Sequence, residues 1–316
     1  MNSIPVFFAA NPSYYQHLCV MIVSLLENNK DRNFRVHVLT DDDSDTESEK
    51  IRELEKSYDN LEIHFRKIVE DDVKAFHLSK LAHHISIQAY YRCLIPKLYP
   101  DIGKAIYLDS DMVVQGDLGD LWDENIEEYL LAGVDISQFA RVDEYKKRIG
   151  LTQESMYINS GVLLMNLRKM RENDIVALLV ENAGVLGTKA ELVDQDVINY
   201  SLQGNMKALD PRYNWTHVHN DELKKPALPI VISHFSGPGK PWSTNRICKH
   251  AGRKDYFVYL QKTPYRDFVY RYYLERSYKC VIPYIMEIGK SLARIVLPRE
   301  YVARLREIRA NRIRSR

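Results

Sequence analysis

The chain has 316 residues, 45% of them apolar and 28% charged, a balance that fits one large α/β domain with an appendage and excludes wholesale disorder. No apolar run approaches the roughly 18 residues of a membrane-spanning helix, and Cys19, Cys93, Cys248 and Cys280 form no Cys-x-x-Cys pair, against a disulfide framework or a zinc ribbon. The formal net charge of +1 hides a split: residues 249–316 carry 17 Lys/Arg against 6 Asp/Glu, and the residues before them 27 against 37.

In chain order, residues 6–10 read as a strand that starts almost at once, with no charged leader or cleavage site before it, so a cytoplasmic protein is expected. A helix follows at 13–29, a strand at 35–39, and a helix at 44–57 with Glu47 as a capping-box partner. Residues 61–65 are strand-like, 86–98 helical up to Pro100, and 105–108 and 131–134 short apolar strands of the kind buried in a parallel sheet. An apolar stretch at 156–167, helices at 174–183 and 195–202, and a strand at 230–235 complete the pattern. Such alternation predicts an α/β fold with an open, mostly parallel central sheet flanked by helices, binding ligands beyond the carboxyl ends of its strands. The composition changes near Cys248, which predicts a catalytic domain over 1–248 and a basic, aromatic-rich helical tail over 249–316.

Asp109-Ser110-Asp111 follows the apolar strand at 105–108, and in extended geometry residues i and i+2 project to one side. Two such carboxylates suit Mg2+ or Mn2+ with a substrate diphosphate, although a pair of solvated loop aspartates has the same sequence. His234 ends the strand at 230–235 and enters the loop Ser236-Gly237-Pro238-Gly239-Lys240-Pro241-Trp242. There imidazole offers a Mn2+ ligand, glycines allow backbone N–H groups to approach a phosphate, and Lys240 offers a counter-charge. The spacing is not that of a Walker loop. In the tail, Ile285, Ile288, Leu292 and Ile295 share a helical face that Leu305 and Ile308 continue, with Arg294, Arg304, Arg306, Arg309, Arg312, Arg314 and Arg316 around it. A basic amphipathic helix of this kind points to an anionic membrane surface; a helix docked on the main domain is the alternative, and no nucleic-acid motif accompanies the charge. Asn214-Trp215-Thr216 fits a glycosylation sequon that a cytoplasmic chain does not use, and His83, His84, His217 and His219 read as surface or loop histidines.

Five motifs in order resemble glycosyltransferase family 8, which includes bacterial lipopolysaccharide galactosyl- and glucosyltransferases and, more distantly, glycogenin. They are Phe8-Ala9-Ala10-Asn11, Ile85-Ser86-Ile87 with Tyr90-Tyr91-Arg92, Tyr107-Leu108-Asp109-Ser110-Asp111, the run from Asn159 to Leu167 with Asp194-Gln195-Asp196 downstream, and His234 through Trp242. The resemblance implies a GT-A type nucleotide-diphospho-sugar transferase fold and retaining, Mn2+-dependent transfer of a hexose from UDP-galactose or UDP-glucose, with Mg2+ an alternative ion. It implies Asp109, Asp111 and His234 as metal ligands, Ala9, Asn11 and Tyr14 at the uridine, and Ser110, Gly237 and Lys240 at the diphosphate. Arg92, Asp135, Asn159, Asp194 and Gln195 are implied at the donor sugar. The family often has aspartate where Asn11 stands and asparagine where Ser13 stands. Gln195 lies where the family places a side chain beneath the anomeric centre, and an amide is a poor nucleophile, so front-face attack is expected, with Asp194 or Asp196 as alternative nucleophiles. The acceptor implied is a cell-surface glycan or lipid-linked oligosaccharide at the inner membrane face. Nucleotidyl transfer and an inactive nucleotide-sugar-binding or membrane scaffold are the competing readings.

Overall fold

The structure, a computed structural model, describes residues 3–42, 45–74, 76, 87–216, 228–237, 239–244, 248, 250, 252–279 and 285. Strand β1 (Ile4–Ala9) runs parallel to β2 (Phe34–Thr40) on one side and to β4 (Lys104–Leu108) on the other, and β3 (Leu61–Lys67) extends the sheet beyond β2. Strand β7 (Ile158–Asn166) is antiparallel to both β4 and β6 (Leu131–Asp135), and β8 (Met206–Leu209) joins β6 in parallel. The order across this seven-stranded sheet is β3-β2-β1-β4-β7-β6-β8. A second sheet pairs β5 (Met112–Val114) with β9 (Ile232–His234) antiparallel.

The helices are α1 (Tyr15–Glu27), α2 (Asp45–Arg52), α3 (Glu70–Val73), α4 (Tyr91–Leu98), α5 (Gly119–Asp123), α6 (Ala140–Ile149), α7 (Leu167–Glu172), α8 (Ile175–Leu186), α9 (Asp194–Ser201) and α10 (Arg253–Leu260). Most expected elements are present with shifted ends. The expected helix at 86–98 starts as a 3-10 turn over Ile87–Tyr90, and residue 86 lies outside the described residues. Glu47, the expected capping partner, receives Lys50 and the Tyr265 hydroxyl on its oxygens, and Ser44, the residue it would cap, lies outside the described residues.

Two features position the site. The chain leaves β1 toward β2 on one side and returns to β4 on the other, so a crevice opens between the carboxyl ends of β1 and β4, where ligands of open α/β sheets bind. Because β7 runs against β4, its amino-terminal end lies at that same edge, and the Asp109 N–H donates to the Gly161 carbonyl at 2.9 Å.

Helix α1 is buried on nearly every face, from Tyr15 to Leu26 with only Gln16 partly open. Burial all round requires cover on both sides. The sheet covers one; β5 and α10 cover the other, with Tyr256, Phe257 and Leu260 of α10 buried. The Tyr256 hydroxyl lies 2.7 Å from His17 Nδ1 and accepts from Gln16 Nε2 at 3.1 Å. One compact unit accordingly comprises Met1–Pro241 and Cys248–Arg266, and a second comprises Trp242–Ile247 and Asp267–Arg316. The compositional boundary at Cys248 thus falls where the chain re-enters the first unit, because basic charge begins before apolar burial ends. In the second unit, residues 268–279 are helical, and Tyr270, Tyr273, Leu274 and Tyr278 are exposed. Ile285 is exposed, while the remaining residues of the expected apolar stripe, Ile288 to Ile308, lie outside the described residues. Among the described residues no helix is long and apolar enough to cross a membrane.

Candidate active site

The crevice is a cleft of about 240 Å³ lined by Ala9, Ala10, Asn11, Tyr14, Gln88, Ala89, Arg92, Tyr107, Asp109, Ser110 and Asp111. Strand β1 delivers Ala9 and, past its end, Asn11, whose Oδ1 accepts from Ser13 N at 3.1 Å and Ser13 Oγ at 2.6 Å. That turn opens the 3-10 segment carrying Tyr14 to the cleft. The Asn11 amide oxygen is therefore engaged locally by Ser13, the neighbour at which the chain also departs from the family pattern.

Asp109 and Asp111 lie between β4, which ends at Leu108, and β5, which begins at Met112, rather than inside a strand. What converges them on His234 is the small sheet: Met112 pairs with His234, and the Phe235 N–H donates to the Asp111 carbonyl at 2.9 Å. His234 Nε2 stands 3.5 Å from Asp111 Oδ1 and 3.8 Å from Asp109 Oδ2. One ligand atom from each of the three residues falls within 4.8 Å of the others. Two carboxylates and an imidazole make a donor set suited to Mn2+ or Mg2+. The backbone leaves room for it: a Cβ on Gly161 would come within 2.5 Å of His234 Cε1 and 2.9 Å of Asp109 Oδ2. Ser110 Oγ, buried in the cleft wall, has no hydrogen-bond partner and is available to a ligand oxygen. The residues present fit a divalent ion.

Cations brace the two carboxylates. Arg92 on α4 donates from Nη2 to Asp109 Oδ1 at 2.9 Å and from Nη1 to the Ser160 carbonyl at 2.6 Å, and its guanidinium lies over the Tyr107 ring at 4.2 Å. The Tyr107 hydroxyl donates to the same Asp109 Oδ1 at 3.0 Å. Burial disfavours charge on Arg92, but Asp109 and Asp194 outweigh it and raise its pKa. Lys240 bonds Asp111 Oδ2 and donates to the Phe235 carbonyl at 2.8 Å. Burial opposes ionisation of Asp111, yet Lys240 and His234 hold its carboxyl well below the usual range. Gly237, at φ 81°, takes a left-handed turn that a side chain would strain, in the loop carrying Lys240.

The residues expected at the donor sugar divide. Asn159 on β7 donates from Nδ2 to Gln195 Oε1 at 3.0 Å, and the Ser160 N–H donates to the same oxygen at 3.2 Å. Asp194 Oδ2 lies 3.1 Å from Arg92 Nε, but that N–H is directed to the Ala89 carbonyl, so the oxygen accepts no hydrogen bond. Burial pushes the Asp194 carboxyl up to about 6, against Arg92 and with the help of Asp109. Val193, just before it, holds φ at 50°, a strained value for a β-branched residue.

Asp196 is a correction: it does not face the cleft. Fully buried behind Gln195, it accepts from Tyr157 OH, Arg148 Nη2 at 3.0 Å and Leu192 N at 2.9 Å, which commits its oxygens. Asp135 ends β6, where its Oδ1 accepts from Ser137 N and Ser137 Oγ at 2.9 and 2.7 Å and from the Tyr157 N–H at 3.3 Å, the residue whose hydroxyl meets Gln195 and Asp196. Sequence reasoning passed over Tyr107, Gly161 and Asn214. Tyr107, in β4, stands two residues before Asp109, and that spacing was readable. Asn214 carried only its sequon.

The model of glycosyl transferase family 8 matches residues 5–246. General stress protein A of Bacillus subtilis is 30% identical over 272 residues, covering 80% of this chain and 92% of that one. A lipopolysaccharide 1,3-galactosyltransferase of Salmonella typhimurium is 26% identical over 234 residues, covering 71% and 68%. The crystal structure of a galactosyltransferase, LgtC, in complex with donor and acceptor sugar analogues matches with a TM-score of 0.70 at 27% identity, covering 83% of this chain and 96% of that one.

Proposed function

The chain belongs to glycosyl transferase family 8 and has its GT-A fold, and from that footing we propose that it transfers a hexose, galactose or glucose, from its UDP-sugar to a glycan acceptor with retention at the anomeric carbon. The observation that carries this reading is the cluster of Asp109, Asp111 and His234 in the crevice between β1 and β4. A Mn2+ ion held by these three groups would neutralise the diphosphate charge that otherwise makes UDP a poor leaving group.

The chain's own residues supply the rest. Tyr14 offers a ring for the uracil to stack on, with Asn11 beside it. Lys240 and Arg92 offset the charge of Asp111 and Asp109, so charge developing on the departing phosphate meets oriented partners. Asn159, Gln195 and Asp194 hold the sugar, Asp194 Oδ2, ion-paired with Arg92 but accepting no hydrogen bond, being an acceptor for a sugar hydroxyl. Asp196 is committed elsewhere and Gln195 is a poor nucleophile with its oxygen already bonded twice, which favours front-face attack. The acceptor oxygen then bonds the anomeric carbon as the bond to UDP breaks, and its proton passes to a phosphate oxygen of the leaving UDP. The exposed tyrosines of helix 268–279, together with Arg271, Arg276 and Lys279, support a lipid-linked acceptor and attachment to an anionic membrane surface on the cytoplasmic side.

The test is nucleotide release from a panel of UDP-, GDP- and CMP-sugars, with and without Mn2+. Slow Mn2+-dependent release of UDP from one hexose donor, abolished in Asp111→Ala, is expected. Release from GDP- or CMP-sugars instead, or metal-independent release, would overturn the donor assignment.

A further inference from the structure

Asn214 follows the 3-10 turn Pro211–Tyr213, ahead of β9, and is fully buried. Its side chain bridges two halves of the site: Oδ1 stands 2.8 Å from His234 Nδ1, and Nδ2 donates to Asn159 Oδ1 at 2.7 Å. From Asn159 the bonds continue to Gln195, and Gln195 Nε2 donates to Tyr157 OH at 3.4 Å, which donates to Asp196.

Side-chain amides can be turned end for end, so the direction of such a chain must be fixed by groups that cannot. Two backbone amides fix this one. The Gly161 N–H donates to Asn159 Oδ1 at 3.1 Å, which makes that atom the oxygen. The Ser160 N–H donates to Gln195 Oε1 at 3.2 Å, which likewise makes that atom the oxygen. Asn159 must therefore face Gln195 with its NH2 and Asn214 with its oxygen. Asn214, meeting an acceptor, must present its own NH2 and turn its oxygen to His234. An oxygen there requires a proton on Nδ1, which leaves the Nε2 lone pair directed at Asp109 and Asp111.

We propose that Asn214 is a positioning residue that passes the polarity of the β7 backbone to His234, fixing the imidazole in the Nδ1–H tautomer that ligates a divalent cation through Nε2. The same amide aligns Asn159, and through it Gln195, so cation binding and sugar handling share one buried hydrogen-bond chain ending at the Tyr157–Asp196–Arg148 group. Partners of this kind orient a ligating histidine, and their loss commonly weakens metal binding by about 10- to 100-fold. The inference rests on the proposed cation site, not on the identity of the donor sugar.

Two measurements on the full chain test it. In metal-free wild-type protein above pH 7.5, long-range 1H–15N correlation of the His234 ring, assigned by loss of its signals in His234→Gln, is expected to report the Nδ1–H tautomer; the Nε2–H tautomer overturns the inference without any Asn214 variant having to fold. The second is Mn2+ titration followed by electron paramagnetic resonance, with thermal unfolding recorded alongside. Asn214→Ala is expected to bind Mn2+ about 10- to 100-fold more weakly. Asn214→Asp keeps the acceptor for His234 and is expected to stay within about 3-fold of wild type in Mn2+ affinity, a margin well inside the loss expected of Asn214→Ala. It faces Asn159 Oδ1 with a second oxygen, however, and is expected to lose at least 10-fold in Mn2+-dependent UDP release. Equal Mn2+ affinity in wild type and a folded Asn214→Ala overturns the inference alone. A wild-type protein that binds no Mn2+ overturns the proposed cation site and the inference together.

Discussion

Gly161 has no room for a side chain, since a methyl group there presses on the His234 ring, the Asp109 carboxylate and the Met112 side chain together. Overpacking of this kind costs about 1–3 kcal/mol, and the groups that must yield are those that would hold the cation. Gly161→Ala is therefore expected to lower Mn2+ affinity at least 10-fold with only a modest fall in melting temperature; a variant that binds Mn2+ as wild type does would show that the site tolerates the shift. His37 offers a different test. Its ring lies between Phe7 and His64, with centroids 4.6 and 5.3 Å away, and neither of its nitrogens has a hydrogen-bond partner. Burial, helped by the neighbouring His64 and Arg35 charges, pushes its pKa down to about 4 from 6.5. The unfolded chain takes up this proton near 6.5 and the folded one resists until about 4, so stability falls as pH drops through that window and levels below it. His37→Phe, which keeps the stack and removes the proton, is expected to flatten the acid arm by about 2–3 kcal/mol, read as urea unfolding at pH 7 against pH 4. At this scale the sequence disclosed Asp109, Asp111 and His234, because their chemistry is uncommon beside apolar strands. Asn214 stayed hidden, because its role comes from what lies on either side of it in space. Asp196 misled: adjacency to Gln195 in a helix sends consecutive side chains in different directions.

At the scale of elements, alternation of strand and helix made the parallel half of the sheet legible, while the direction of β7 was not. An apolar stretch at 156–167 reads the same whichever way it runs, and only the pairing with β4 and β6 decides. Strand β5 spans three residues, too few to carry a period of two, and exists because β9 pairs with it, Trp215 bridging β9 in turn. Helix α6 was missed because a lysine occupies its buried face: Lys146 is buried between Val142 and Ile149 and donates to the Gln153 carbonyl at 2.6 Å. Composition alone assigned α10 to the tail, yet Tyr256, Phe257 and Leu260 are core. Burying side chains of this size contributes about 1.5–3 kcal/mol each, together comparable with the whole stability of a typical domain. A chain ending after Cys248 is thus expected to aggregate or to melt without cooperativity, and one ending after Arg266 to unfold cooperatively and still release UDP. Calorimetry of the two truncations decides it; a stable, active chain ending at Cys248 would remove α10 from the core.

For the molecule as a whole, charge divides the chain into an acidic body and a basic end, and the second unit adds exposed tyrosines to that charge. Apolar contact and attraction to anionic headgroups then act together, and only the second is screened by salt. Full-length protein is expected to sediment with phosphatidylglycerol vesicles at low salt and to be largely released at about 1 M salt, where the screening length is near 3 Å. The chain ending after Arg266 is expected to stay in the supernatant in both; its equal sedimentation would sink the membrane reading.

The bond between His17 and Tyr256 closes a loop of 239 residues. Helix α1 leaves the ribosome long before the helix that clothes its outer face, which is among the last elements of this unit. Asp109 and Asp111 likewise wait for His234. Contacts of such long range cost loop entropy before any of them forms, and they slow folding. Until that helix emerges the nascent chain therefore carries an apolar helix with one bare side, the kind of surface that invites chaperones or misassembly. The cation site, in the same way, cannot exist on any fragment short of its full domain, so the protein gains its capacity for chemistry in one late event.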